Sequence, residues 1–364
     1  MDDDCKKYLV GISLVEAVGA VRFKKIINHF SNPKDFFNAT RAELLAAGIP
    51  VWVVDVILRQ RTIVDVEKAW DLLQQEGIEV LTFWDQNYPD LLKQIYDWPP
   101  ILYFRGSPEI LRGKMLAVVG TRRPTEYGIR ATQDIVSGLV AGGVSIVSGL
   151  ARGIDSTAHK TVIGLDGKTV AVLGTGLDWR SIYPAENKRL VEEIIYCGGI
   201  VISEFPCGTP PNRQNFPRRN RLISGLSQGV LVVEAGQGSG ALITARCALD
   251  QNRDVYAVPG NIYNVNSFGP NELICQGAKP VSSANDILEA LDLSLIKETT
   301  RIKEAVASSK EEKTLLQFVS SEPVHIDNLI RQSELSSEVV NSVLLVMELA
   351  GKVKDVGGKR YVIN

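Results

Sequence analysis

Residues 145–155 read Ser145-Ile146-Val147-Ser148-Gly149-Leu150-Ala151-Arg152-Gly153-Ile154-Asp155. A short apolar run stops at a glycine, a small-residue loop follows, and a helical stretch begins. That is the grammar of a buried strand delivering the chain to a helix. The unit recurs on both sides. Met115–Val119 precedes Gly120-Thr121-Arg122-Arg123-Pro124, and Thr169–Leu173 precedes Gly174-Thr175-Gly176-Leu177-Asp178. Ile200–Ile202, Val230–Val233 and Val255–Val258 complete a series of six, and Val230–Val233 runs into Glu234-Ala235-Gly236-Gln237-Gly238-Ser239-Gly240 and a helix carrying Thr244. Alternation of this kind predicts an α/β fold: an extended Rossmann-like domain with a mainly parallel sheet over residues 99–293.

In such sheets ligands sit beyond the carboxyl ends of the strands. Four of the six following loops place glycine there and aim backbone N–H groups at a helix start, where anions are favoured. One such loop is more often structural; four on one rim predict a phosphate-binding rim. The G-x-G-x-x-G fingerprint is missing after the first strand, no acid ends the second, and no Walker sequence occurs, so a mononucleotide cofactor lacks its usual anchors.

Between the fourth and fifth strands the chain reads Asn212-Arg213-Gln214-Asn215-Phe216-Pro217-Arg218-Arg219-Asn220-Arg221, four arginines in nine residues with no acid among them. Arginine pairs bidentately with phosphate, and arginine and phenylalanine both stack on unpaired bases, so the composition suits a single strand. The alternatives are a solvated helix start for the arginines and a core position for Phe216. With a net charge of −2 the chain is no basic coat, and any positive field must be local.

Outward from this core, residues 1–98 are patterned for short amphipathic helices. Thr40 and Glu43 predict a capping box and Gly48 a stop. Such helices resemble SAM or helix-hairpin-helix modules, some of which grip DNA backbones; no clean basic hairpin is present, and a packing domain is the plainer reading. Residues 294–312 have a linker composition. Residues 313–364 fit three helices and a hairpin turning at Gly357-Gly358, a winged helix. Its second motif helix, Ser336–Ala350, carries Glu338 and Glu348 but no lysine or arginine, which favours protein contact over DNA, although Lys352, Lys354, Lys359 and Arg360 make the wing basic.

Five cysteines, none in a CxxC pair, predict neither a disulfide framework nor a zinc site. The acidic start and the absence of a long apolar run predict a cytoplasmic chain with no membrane partner. His159 lacks a nucleophile motif and reads as a packed residue. Glu234 ends a strand beside a glycine loop, the place of a catalytic acid in Rossmann-like nucleotide phosphoribohydrolases, but the P-G-G-x-G-T hallmark is absent. No catalytic residue, cofactor or metal ligand is assigned. The two function classes are a non-enzymatic strand binder and a phosphoribohydrolase-like enzyme.

The ordered motifs identify a relative. Val119-Gly120-Thr121-Arg122, Ser148–Asp155, Gly174–Asp178 with Tyr183-Pro184, Phe216–Ser227, and Gly238-Ser239-Gly240 through Thr244-Ala245 resemble the DprA/Smf family of bacterial DNA-processing proteins. The resemblance implies binding of single-stranded DNA during natural transformation, loading of the RecA recombinase, single-strand binding protein as a further partner, and homodimers through the Rossmann-like domain. The DNA site it implies, joined to the rim read from the residues, comprises Gly120, Thr121, Arg122, Ser148, Gly149, Arg152, Gly153, Gly174, Gly176, Phe216, Arg218, Arg219, Asn220, Arg221, Gly238, Ser239, Gly240 and Thr244.

Overall fold

A computed structural model of the chain describes residues 2–291, 310–320, 323–333, 335–349 and 352–363. The chain divides into two compact units, Met1–Leu291 and Asp292–Asn364. Most of the expected linker, residues 294–309, lies outside the described residues.

In the first unit nine strands of the described residues form one sheet: β1 (Glu79–Thr82), β2 (Ile101–Gly106), β3 (Met115–Val119), β4 (Ser145–Ser148), β5 (Thr169–Leu173), β6 (Ile200–Ser203), β7 (Gly229–Val232), β8 (Asp254–Ala257) and β9 (Lys279–Pro280). Their order is β1-β2-β6-β5-β4-β3-β7-β8-β9. The six expected strands are β3 to β8, all parallel to their neighbours within that set. Every residue of β3 and β5 is buried, because helices cover both faces; hence the continuous apolar runs instead of alternation. The chain winds outward from β3 to β6, then returns and restarts at β7 on the other side of β3. The reversal between β3 and β7 leaves a crevice at the carboxyl ends of the strands, and the glycine loops after β3, β4 and β7 surround it.

The edge beyond β6 is antiparallel, with β2 against β6 and β1 against β2. β1 is four residues long and follows helices, too short for a period to register. Through it the helical region joins the sheet. Leu9, Ile26, Phe36, Leu44 and Ile57 share one buried cluster with Val80, Tyr103, Leu173 and Val201, and Ser13 Oγ meets Tyr103 Oη at 2.6 Å. The expected division at residues 98/99 therefore runs between two paired strands and across a common core. Inside the helical region the local signals hold: Thr40 and Glu43 form the capping box, and Gly48 turns the chain with φ of +75°.

The second unit carries helices Lys310–Leu316, Ile326–Ser333 and Ser337–Leu349 and a small sheet of β10 (Val324–His325), β11 (Val353–Asp355) and β12 (Arg360–Ile363), ordered β10-β12-β11. Leu315, Leu329, Val340, Leu344 and Met347 fill its core. The wing turns at Gly357 and Gly358, both with positive φ. This is the expected winged helix with one added two-residue strand, β10. No described helix is long and apolar enough to cross a membrane.

Candidate nucleic-acid interface

Two adjoining hollows lie over the crevice. One, of about 280 Å³, is lined by Arg122, Arg123, Gly149, Ala151, Arg152, Tyr183, Pro184, Phe216 and Arg219. The other, of about 490 Å³, adds Gly120, Thr121, Asn220, Gly238, Ser239, Gly240, Thr244 and Asn266. They share Arg122, Arg123, Ala151, Phe216 and Arg219, so they form one groove.

Arg219 is its deepest charge. The side chain belongs to the helix Asn215–Leu226 and is buried. Its Nη1 donates to the Gly149 carbonyl at 2.6 Å and to the Val172 carbonyl, and its Nε donates to Asn220 Oδ1 at 3.2 Å. Gly149 is required here, since a Cβ would stand 2.6 Å from the guanidinium. Burial pulls Arg219 down to about 10, against Asp155, which favours its charge; it remains protonated at neutral pH. The Asp155 carboxyl is pushed up by burial and held back by Arg219. Its Oδ2 accepts the N–H groups of Gly149, at 3.0 Å, and Ala151, at 3.4 Å, so it shapes the β4 loop as well as facing the cation.

The loops brace one another. Thr121 N donates to the Glu234 carbonyl at 2.6 Å, tying the β3 loop to the end of β7, and Ile154 N donates to the Thr121 carbonyl at 3.2 Å. Gly153 has φ of +79°, and a Cβ there would collide with the backbone of Thr121 and Arg122. Across the groove Ser239 caps the helix Gly240–Asp250, accepting from Ala241 N at 3.4 Å, and Asn220 Nδ2 reaches the Gly240 carbonyl at 3.1 Å. The helix start therefore faces the groove with its N–H dipoles already aligned.

Phe216 is half-buried and stands between cation and ring. The Arg122 guanidinium lies 5.6 Å from its centroid, and the Tyr183 ring lies 5.8 Å away, tilted by 46°. Arg122 and Arg123 are exposed; Arg152 is exposed and pairs with Glu186. The groove thus offers exposed guanidinium groups at the rim, one buried guanidinium beneath, and aromatic surface beside them.

Twelve of the expected site residues line this groove: Gly120, Thr121, Arg122, Gly149, Arg152, Phe216, Arg219, Asn220, Gly238, Ser239, Gly240 and Thr244. Six do not. Ser148 is buried and donates to the Val118 carbonyl at 2.6 Å, and Gly153 serves the loop clamp. Gly174 lies behind Phe216, where a Cβ would come within 3.0 Å of the ring. Gly176 packs on Asp178 and Pro206. Arg218 and Arg221 require a correction to the arginine cluster as one wall. Helical rotation turns Phe216, Arg219 and Asn220 to the groove and sends Pro217, Arg218 and Arg221 to a different depression. Arg221 is held by Asp97, at 3.1 Å, and by buried Glu204, so an acid partner exists although none occurs in the run itself. Arg123, Tyr183, Pro184 and Asn266 also line it. Arg123 stands in the glycine loop after β3 and Tyr183-Pro184 in a family motif; nothing in its surroundings marks Asn266 from the sequence.

Glu234 is not a free acid. Its Oε2 accepts from Thr125 N at 2.9 Å and its Oε1 from Thr125 Oγ1 at 2.5 Å, at the start of the helix Glu126–Ala141. Gly128 leaves the room that this carboxylate fills. Both oxygens are engaged in holding a helix start, which disfavours the hydrolase reading. His159 is buried against Thr169, Nδ1 to Oγ1 at 2.8 Å, and burial, with Arg219 nearby, lowers it to about 3. It is a neutral packed residue.

Comparison with known proteins agrees with this architecture. The family described as DNA recombination-mediator protein A matches residues 79–292, and the DprA winged helix domain matches residues 301–359. Protein Smf of Synechocystis sp. is 35% identical, covering 97% of this chain and 98% of its own length. The structure of DNA processing protein A from Streptococcus pneumoniae superposes with a TM-score of 0.67 at 33% identity, covering 78% of this chain and 97% of that one. DNA processing protein A from Helicobacter pylori, described with a single-stranded DNA binding mode, gives a TM-score of 0.53 at 30% identity and covers 59% of this chain and 95% of that one.

Proposed function

Because the chain belongs to the DNA recombination-mediator protein A family, we propose that its groove at the β3/β7 reversal binds single-stranded DNA without chemical turnover. The observation that carries this reading is the pairing of Phe216, flanked by Arg122 and Tyr183, with the buried cation Arg219 beneath. A base stacks on the aromatic and guanidinium planes, and the adjoining phosphates meet Arg122, Arg123 and the N-terminus of Gly240–Asp250. Bases paired within a duplex keep their faces covered, so this geometry discriminates between strand states by stacking and is tolerant of sequence.

The expected site residues that line the groove are the DNA contacts in this reading, and Ser148, Gly153, Gly174 and Gly176 shape it. The finer role follows the family: a cytoplasmic mediator that brings the RecA recombinase to strands coated by single-strand binding protein during transformation, acting as a homodimer through the Rossmann-like domain. The winged helix is a protein-contact module, consistent with a second motif helix that lacks lysine and arginine over Ser336–Ala350.

The decisive experiment is a salt-titrated comparison of single- and double-stranded oligonucleotide binding, with mass determination. The single strand binds more tightly and its affinity falls as salt rises. Equal affinity for duplex would sink the groove reading. Removal of residues 305–364 leaves most single-strand affinity in place.

A further inference from the structure

The face of the Asn215–Leu226 helix that turns away from the groove opens on a second depression, of about 750 Å³. Pro217, Arg218 and Arg221 form one side of it, and Arg22, Lys25 and Tyr96 stand among the residues opposite. Arg22 and Lys25 belong to the helix Ala20–His29 of the N-terminal region, so this hollow lies between that region and the sheet within one compact unit.

Arg221 is paired with Asp97 and Glu204, and the other three cations form no ion pair among the described residues. Arg22 donates to the Ala17 carbonyl at 2.9 Å and lies over the Trp52 ring at 5.3 Å. Lys25 donates to the Gly48 carbonyl at 2.8 Å, and Arg218 lies over Phe205 at 5.3 Å. Arg218 also stands near enough to Glu204 to favour the charge of that carboxylate. Two acids line the hollow: Asp97 is taken up by Arg221, and Asp250 is exposed. With Glu204, which Arg221 also holds, four cations stand against three acids, an excess of one positive charge. Tyr96 is 82% exposed; Lys24 Nζ lies 5.6 Å from its ring centroid, and the rest of the aromatic surface stands in water beside the hollow. Phe216 of the groove and Arg218 of the second depression are two residues apart at the start of the helix, about 3 Å of rise and about 200° of rotation, so the two hollows flank one helix end.

From this continuity we propose that the strand does not end at the groove. It passes over the start of the Asn215–Leu226 helix and continues through the second depression, its phosphates held by Arg218, Arg22 and Lys25 and a base stacked on Tyr96. The N-terminal helical region is then half of an extended nucleic-acid track. The inference rests on the groove being a single-strand site, and the test separates the two.

The test uses the full chain and two labelled oligothymidylates, of about 6 and about 20 nucleotides, one near the lower end of the usual site sizes of single-strand modules and one beyond the upper end. The triple variant Arg22→Ser, Lys25→Ser, Arg218→Ser binds the short strand as the unaltered protein does. On the long strand it loses tenfold or more in affinity, and its salt slope falls by about 2, at roughly 0.7 for each phosphate released from its cation. Tyr96→Ala, an exposed change that removes the ring under Lys24, loses several-fold on the long strand only. Long-strand affinity and slope unchanged in both variants would overturn the extension while leaving the groove intact. Failure of the unaltered protein to bind the short strand, or indifference of both strands to Phe216→Ala, would overturn the groove reading instead.

Discussion

Arg219 and Arg221 stand two residues apart on one helix, the first buried and the second half-buried, yet they serve different ends. Arg219 faces the crevice, holds two backbone carbonyls, and lines both hollows of the groove. Arg221 faces the opposite way and neutralises Glu204, whose carboxyl burial pushes up. Two positions correspond to about 200° of helical rotation, enough to move one arginine from a binding surface to a structural ion pair. Charge density along the chain is therefore a poor guide to charge density in a site. The partner acid lies seventeen residues upstream, at the end of β6.

The comparison can be broken most forcefully at Arg221. Arg221→Ala leaves the Glu204 carboxylate buried without its cation and is expected to cost about 3–5 kcal/mol of stability. Thermal unfolding reads the loss, and the fraction that remains folded should bind a short single strand normally. A binding defect without a stability defect would put Arg221 in the site after all.

Next comes acid. His159 lies behind Arg219, and folding lowers it from 6.5 to about 3. The unfolded chain takes up that proton first, so the stability it represents is complete above pH 6.5 and lost progressively as the pH falls toward 3. At pH 5, a unit and a half below 6.5, the loss is about 2 kcal/mol. Melting temperatures between pH 7 and pH 5 check this, and a His159→Gln variant should show a flatter profile. An unchanged profile in that variant would remove the buried histidine from the account.

On the groove face the expected effects are on binding. Phe216→Ala removes a stacking surface worth about 1–3 kcal/mol per base, read as a loss of single-strand affinity. Arg122→Ala is milder: affinity falls modestly and the salt slope by about 0.7, because one exposed phosphate contact disappears. If Arg122→Ala proved as damaging as Phe216→Ala, its position over the ring would matter more than its charge.

Much of the fold was open to direct reading. β3 and β5 have the expected bounds, because a strand covered on both faces is apolar throughout and stops where glycine lets the backbone turn. The capping box at Thr40 and the turn at Gly357-Gly358 are equally local. The antiparallel strands β1 and β2 were not legible: β1, at four residues, is too short for a period, and each pairs with a partner far along the chain. The same limit applies in the groove. Loops after strands announce themselves through glycine, whereas Asn266 enters it from a loop more than thirty residues beyond β7, and Gly174 and Gly176 sit behind it instead of in it.

What the sequence determined by itself is the set of components: six buried strands, their glycine loops, the helix caps, and the residue types able to meet a phosphate and a base. These depend on neighbours within a few positions, so composition and spacing suffice. The tertiary structure decided which of those components face one another. It turned Arg219 toward the crevice and Arg221 away, bound Glu234 to a helix start, and laid the N-terminal helices against the sheet, where Arg22 and Lys25 line a second hollow. Such assignments depend on rotation about a helix and on contacts between distant segments, which are set only when the core packs.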